Sequence, residues 1–281
     1  MSCIQGWRKH MEDAHINQLN INPTKTHHVF GVFDGHGGSA VSNFIKEHFV
    51  EELMKNINYK RDNIQQALID TFLIMDELLI TEQGQKELQS YATTSKHDVN
   101  TFRSNVNVSA MNVGSTACVC LIDEDNRRMY FANAGDSRVV LCKQGKAFQM
   151  SYDHKPNLFL EKNRIYKARG YIADGRINRN LNLSRAIGDL QYKQGKDKLP
   201  QEQMITAYPD IVIENYDEEC EFILIGCDGI WDCISNQELC DEVIAHLRSE
   251  QSENDNNNIK LSQIAEKIMD KLVGKTDIPH R

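Results

Sequence analysis

The chain has 281 residues, with 32 Lys and Arg against 40 Asp and Glu, a formal charge of −8, and 40% apolar residues. This is the balance of a globular protein able to bury a sizeable core, and it argues against gripping nucleic acid or anionic membrane through bulk charge. The longest apolar run, Ala117 to Ile122, is far too short to cross a bilayer.

Met1 to Arg8 lacks the apolar segment of a secretory signal, and Ser2 stands where N-myristoylation needs a glycine. Gly6 to His15 reads as extended, which puts Arg8, His10 and Glu12 on one face and Asp13 on the other. A strand is expected over His28 to Asp34, rich in Val and Phe and closed by Asp-Gly. Beyond the glycines at 35, 37 and 38, Val41, Ile45, Phe49 and Leu53 recur at helical spacing. Ile64, Ala67, Leu68, Phe72, Met75 and Leu79 do the same within Lys60 to Ile80. Gly84 to Asn112 is long and polar, either a surface excursion or part of an extended helix. Strands are expected over Ser115 to Ile122, Arg128 to Ala134, Arg138 to Cys142 and Glu221 to Cys227. Helices are expected over Leu158 to Arg169, Asn236 to Ser249 and Ile259 to Val273, with Glu250 to Asn258 a low-complexity connection.

No repeat or linker divides the chain, so residues 1–281 read as one domain. Helices grouped in pairs between groups of strands point to an α+β fold, with sheets covered by helix layers. The eight cysteines form no Cys-x-x-Cys pair and mostly sit in apolar runs. They read as reduced structural thiols, which places the protein in the cytoplasm or the nucleus.

Carboxylates gather beside glycine at strand ends: Met11-Glu12-Asp13, Asp34-Gly35-His36-Gly37-Gly38, Gly135-Asp136-Ser137-Arg138, Gly188-Asp189 and Asp228-Gly229-Ile230-Trp231-Asp232. Each alone is a turn signal. Brought together by a sheet they make an all-oxygen site of the kind Mg²⁺ or Mn²⁺ prefers, and a cation is the simplest relief of their mutual repulsion. Arg8 has a planar fork matched to phosphoryl oxygens, the alternative being a surface pair with Glu12. His36, two residues from Asp34, is placed to protonate a leaving oxygen or is merely structural. No Walker loop, G-x-S-x-G elbow or Cys-x₅-Arg loop occurs, which disfavours a covalent serine or cysteine nucleophile.

In this order, the segments QGWRKHMEDAH (5–15), VFDGHGG (32–38), GSTACV (114–119), NAGDSRVVL (133–141), DHKPN (153–157), LSRAIGD (183–189) and CDGIWD (227–232) resemble the metal-dependent serine/threonine protein phosphatases, the PPM or type 2C group. The resemblance spans nearly the whole chain. It implies a β-sandwich of two antiparallel sheets flanked by helix pairs, a four-layer αββα arrangement. It further implies two Mg²⁺ or Mn²⁺ ions per chain, with Asp34 bridging them, the Gly35 carbonyl on one, and Glu12 and Asp228 completing the shells. Asp136, Asp228 and Asp232 match a weaker third site. Arg8 would bind the phosphate and His36 would act as general acid, while Arg185 and Asp189 match a motif expected to be architectural. The segment from His154 to Asn182 corresponds to a flap that influences substrate choice.

The implied reaction is hydrolysis of phosphoserine or phosphothreonine in protein substrates by direct attack of a metal-bridging water, with no phosphoenzyme. A monomer is expected, without nucleic-acid or membrane partners. The family's C-terminal Asp-Asn motif and closing strand have no counterpart here, and Asp277 is not assigned to that role. Met1 falls inside the family's first strand, so the chain is expected to be a catalytic domain truncated at both ends, with one metal site weakened. Two alternatives stay open: a pseudophosphatase that binds phosphoproteins without turnover, and a hydrolase of small phosphate esters.

Overall fold

Glycine ends the extended reading of the N-terminus before it starts. Gly6 has φ +57° and residues 6–10 turn and bend, so the first strand, β1, is Ala14–Gln18. The computed structural model describes residues 1–94, 109–195, 197–253 and 260–275. After β1 come β2 (His27–Phe33), β3 (Gly35–His36), α1 (Ala40–Lys55), α2 (Ile57–Lys60), α3 (Ile64–Leu79) and α4 (Glu82–Thr94). The helical pattern expected from Lys60 is cut in two, because Asp62 takes φ +60° and Asn63 caps α3 by accepting the Gln66 N–H. Helix α4 occupies the start of the polar run 84–112. Residues 95–108 of that run, residues 254–258 of the low-complexity connection and the terminal segment that holds Asp277 lie outside the described residues.

The chain continues through β4 (Gly114–Ser115), β5 (Ala117–Asp123), β6 (Arg128–Ala134), β7 (Arg138–Lys143) and β8 (Lys146–Gln149), then α5 (Phe159–Lys167). The short strands β9 (Ile172–Ala173), β10 (Arg176–Ile177) and β11 (Ile187–Gly188) precede β12 (Asp210–Asn215), β13 (Cys220–Gly226), α6 (Asp228–Trp231), α7 (Asn236–Glu253) and α8 (Leu261–Lys275). Strands β8 and β12 were not anticipated. The first is four residues long and follows a tight turn in which Gln144 and Gly145 both have positive φ; the second alternates weakly at an edge.

Alternation along the strands sorts side chains into layers. The five-stranded sheet runs β1-β2-β5-β6-β12 and the facing one β13-β7-β8, all neighbours antiparallel. On β5, Val119 and Leu121 pack with Phe44, Phe49 and Phe72 of α1 and α3, while Cys118 and Cys120 face the other way, toward Val139 and Leu141 of β7. On β7 the intervening Val140 and Cys142 pack against Leu239, Cys240 and Val243 of α7 and Ile264 and Ile268 of α8. Period-two burial on both faces thus yields helix, sheet, sheet, helix. A third small sheet, β11-β4-β3, sits beyond the end of β2 and lays Ile187–Gly188 across Gly114–Ser115 and those across Gly35–His36.

Candidate metal centre

The strand ends that close the motifs meet at one end of the sandwich. Asp34 follows β2; its N–H donates to Thr116 Oγ1 at 3.0 Å, and its carbonyl accepts the Thr116 N–H at 2.9 Å. Thr116 Oγ1 also lies 2.8 Å from Ser137 Oγ, which ties Asp34 to the loop carrying Asp136. Gly135 in that loop has φ +128°, and a Cβ there would overlap Thr116, so only glycine permits this approach. Asp228 starts α6, just beyond β13. Its indole neighbour Trp231 donates to the Gly226 carbonyl at 2.8 Å and lies 5.2 Å from the guanidinium of Arg138, which forks onto Asp153 at 2.8 and 2.9 Å.

These carboxylates crowd one another. Burial, together with Asp13, Asp228 and Asp136, pushes Asp34 up to about 8. Burial, then Asp136 and Asp232, raises Asp228 as well. Burial likewise raises Glu12 and Asp13, and Cys227 is pushed well up by burial and by Asp13 and Asp34. Ligand atoms of Asp13, Asp34 and Cys227 all lie within 4.8 Å of one another. The cations the chain supplies are few: exposed Arg8, and Lys155, which pairs with buried Asp136. An oxygen-rich cluster short of positive charge fits a hard divalent cation.

The structure therefore brings together Asp34, Asp136 and Asp228, with Asp232 exposed on the next turn beside Asp228. Gly35 lies against Glu12: a Cβ on it would overlap the Glu12 carbonyl oxygen, which also accepts Ser42 Oγ at 2.5 Å. Glu12 has His10, His36 and Arg8 for neighbours. Asp13, which alternation set on the opposite face, points into the cluster and hydrogen-bonds Cys227. The expectation of an extended 6–15 segment concealed this, because the backbone turns at Gly6 and bends through residue 10.

Two further residues were not foreseen in these positions. Asp189, read as architectural, has φ +49° and accepts a 2.6 Å bond from His36 Nε2 with its carboxylate 3% exposed. The small sheet that pairs β11 with β4 and β4 with β3 sets this contact, and Gly114 makes room for it, since a Cβ there would overlap both partners. Lys155 was present only as a letter in the DHKPN motif; its partner Asp136 reveals its role. At the start of the flap, His154 Nδ1 accepts the Gly135 N–H at 3.1 Å, which leaves Nε2–H to donate to Asp210 at 3.0 Å. Arg185 bridges Asp210 at 2.7 Å and Glu161 at 2.8 Å, and Arg164 holds Glu161 at 2.7 Å. Despite burial, which works the other way, these arginines and Ser184 lower Glu161 to about 2.

Comparison with known proteins agrees with this geometry. The family model described as Protein phosphatase 2C matches residues 1–276. The chain is 45% identical over 273 residues to a probable protein phosphatase 2C 3 of Paramecium tetraurelia, covering 97% of this chain and 84% of that protein. It is 36% identical over 301 residues to a probable protein phosphatase 2C 58 of Oryza sativa subsp. japonica, covering 99% and 78%. In fold it is similar to a serine-threonine phosphatase 2C from Toxoplasma gondii, with TM-score 0.72 at 18% identity over 96% of this chain and 86% of the other. The αββα layering, the acidic strand ends and a family match over nearly the whole length converge: this chain belongs to the protein phosphatase 2C family and is a metal-dependent protein phosphatase.

Proposed function

We propose that the chain hydrolyses phosphoserine and phosphothreonine monoesters in soluble phosphoproteins, as a monomer, using Mg²⁺ or Mn²⁺ held at the acidic end of the sandwich. The observation that carries this reading is the convergence of Asp13, Asp34, Asp136 and Asp228, where burial and the neighbouring carboxylates push Asp34 up to about 8. Asp34, the Gly35 carbonyl and Asp228, with Glu12 and Asp13 beside them, would hold two ions. Asp136, Asp228 and Asp232 would hold a weaker third in competition with Lys155. Bound there, divalent ions neutralise phosphoryl oxygens and supply an activated water.

The remaining work falls to the chain's own side chains. Arg8, exposed at the rim, offers a two-pronged donor to the phosphoryl group. His36 gives a proton to the departing serine or threonine oxygen. Its Nε2 is engaged by Asp189, so the ring is held in one orientation and the opposite nitrogen, Nδ1, is the one to face the substrate. All eight cysteines are free, which supports a reducing compartment, the cytoplasm or nucleus. No observation favours a binding module without turnover.

The test is hydrolysis of a phosphothreonine peptide with and without Mn²⁺, with Asp34→Asn as control. Turnover should require the metal and be lost in the variant. Metal-independent turnover, or equal activity in Asp34→Asn, overturns the assignment.

A further inference from the structure

The flap and the three residues that follow it form a lobe whose charge is opposite to that of the rest of the protein. Residues 154–185 contain eight Lys and Arg but two Asp and Glu, a net +6, so the rest of the chain carries −14. Two of those arginines, Arg164 and Arg185, are spent inside the lobe on Glu161, and Lys155 on Asp136. The other five are Lys162, Lys167, Arg169, Arg176 and Arg179. All five are exposed, and none has a carboxylate within salt-bridge distance among the described residues. The single exposed acid of the lobe is Asp174.

Large apolar side chains lie among these cations. Phe159 is 77% exposed and Leu160 74%, and Tyr166 and Tyr171 are about half exposed. Phe159 and Tyr166 lie two helical turns apart on α5, with Lys162 between them and 5.8 Å from the Tyr166 ring centre. The platform beneath is firm: Ile165, Ile177, Leu183, Ala186 and Ile205 form their own buried cluster, and Glu161 locks α5 to Arg185. A clustered exposed apolar surface on a structured lobe marks a contact site, and its charge states the partner's sign.

We propose that this lobe docks an acidic peptide segment bearing an apolar anchor, so that the preferred substrates are phosphoresidues flanked by Asp, Glu and a large apolar side chain. The inference rests on the phosphatase reading above and names its substrate class. Lys155 joins the lobe to Asp136, and α5 begins four residues later, within about 14 Å of extended chain. An extended substrate advancing about 3.3 Å per residue would therefore meet the lobe within about five positions of its phosphate. A peptide senses only the local field, because charges beyond about 8 Å are screened, whereas a flat anionic membrane would also face the −14 of the remaining surface.

The experiment compares kcat/KM for two phosphothreonine peptides alike except for their flanks, Asp/Glu/Leu in one and Lys/Leu in the other. The ratio of acidic to basic peptide should exceed about tenfold at about 50 mM salt and collapse at about 0.5 M. Lys167→Glu with Arg169→Glu should lower that ratio about tenfold, and Phe159→Ala should raise KM for the acidic peptide with little change in kcat. A ratio near one, or a ratio untouched by the charge reversals, overturns the proposal. So does sedimentation with phosphatidylserine vesicles in the absence of any peptide preference. Failure of the phosphatase reading shows separately, as no hydrolysis of either peptide or of p-nitrophenyl phosphate. In that case fluorescence anisotropy of the two intact peptides reads the same preference directly.

Discussion

Replacing Asp189 by Asn isolates what the buried carboxylate does for His36. Asparagine keeps the shape of aspartate and can still accept one bond from Nε2, and the backbone N–H of residue 189 still donates to Val113 O at 3.0 Å. What is lost is the charge on one side of a 2.6 Å bond. A hydrogen bond to a charged group contributes about 1.5–3 kcal/mol against about 0.5–1.5 for a neutral one, a difference between mid-ranges of about 1.2 kcal/mol. His36 donates as the imidazolium, so losing that much of what holds this form in place is about tenfold in rate. The loss should depend on the leaving group. Threonine alkoxide needs a proton as it departs and p-nitrophenolate does not, so kcat should fall about tenfold on a phosphothreonine peptide and less than about twofold on p-nitrophenyl phosphate. Gly114→Ala, whose Cβ would overlap both Asp189 Oδ2 and His36 Nε2, should give the same selective loss or a larger one. Equal losses on both substrates would refute the positioning role and return Asp189 to a structural part. Urea denaturation accompanies the assay, since a change in stability beyond about 1.5 kcal/mol would reveal damage to the small sheet instead.

Three more outcomes follow from the same geometry. Glu161→Gln leaves Arg164 and Arg185 buried without their shared carboxylate and should cost about 3–5 kcal/mol in urea denaturation. Because Glu161 sits near 2 when folded, its stabilisation in the parent protein is present above the ordinary glutamate value and should fade as pH falls toward 2; a variant with the same acid profile would contradict this. Asp34 behaves in the opposite sense: folded, it keeps its proton up to about 8, so the metal-free protein binds more protons than its unfolded chain across that window. Its stability should therefore decline from about pH 4 to pH 8, on the order of a few kcal/mol, and Mn²⁺ should flatten the decline; a metal-free melting temperature that rises with pH would exclude the crowding described here. Asp13→Asn should weaken Mn²⁺ binding about 10- to 100-fold by titration calorimetry, and unchanged affinity would remove Asp13 from the centre.

Much of the fold was legible because it is written in local periods. The three- and four-residue steps of Ile64, Ala67, Leu68, Phe72, Met75 and Leu79 became α3, and the strand-rich segments became β2, β5, β6, β7 and β13 within a residue or two. Elements with weak periods escaped: β8 and β12 at the edges, and the two-residue strands that form the small sheet. The carboxylate motifs were legible for the same reason, since an Asp-Gly that closes a strand is a local signal. Asp34, Asp136 and Asp228 could be picked out before any of them was known to meet.

Periodicity and motif order by themselves pointed to an α+β fold with carboxylates gathered beside glycine at strand ends, and composition to an excess of acid over base. Tertiary structure decided which acids share that site and what stands beside each. Asp13 enters the cluster from residues 11–13, which belong to no strand and so are not bound to alternate. His36 meets Asp189 across 153 residues because β3, β4 and β11 pair in one register, and Gly114 carries no side chain to block them. The positive charge of residues 154–185 was countable in the sequence. Only the folded lobe showed that Glu161 and Asp136 consume three of its cations and leave five facing outward. A sequence states which groups exist and how often they recur; strand register and packing choose their partners, because those contacts join segments that no local period connects.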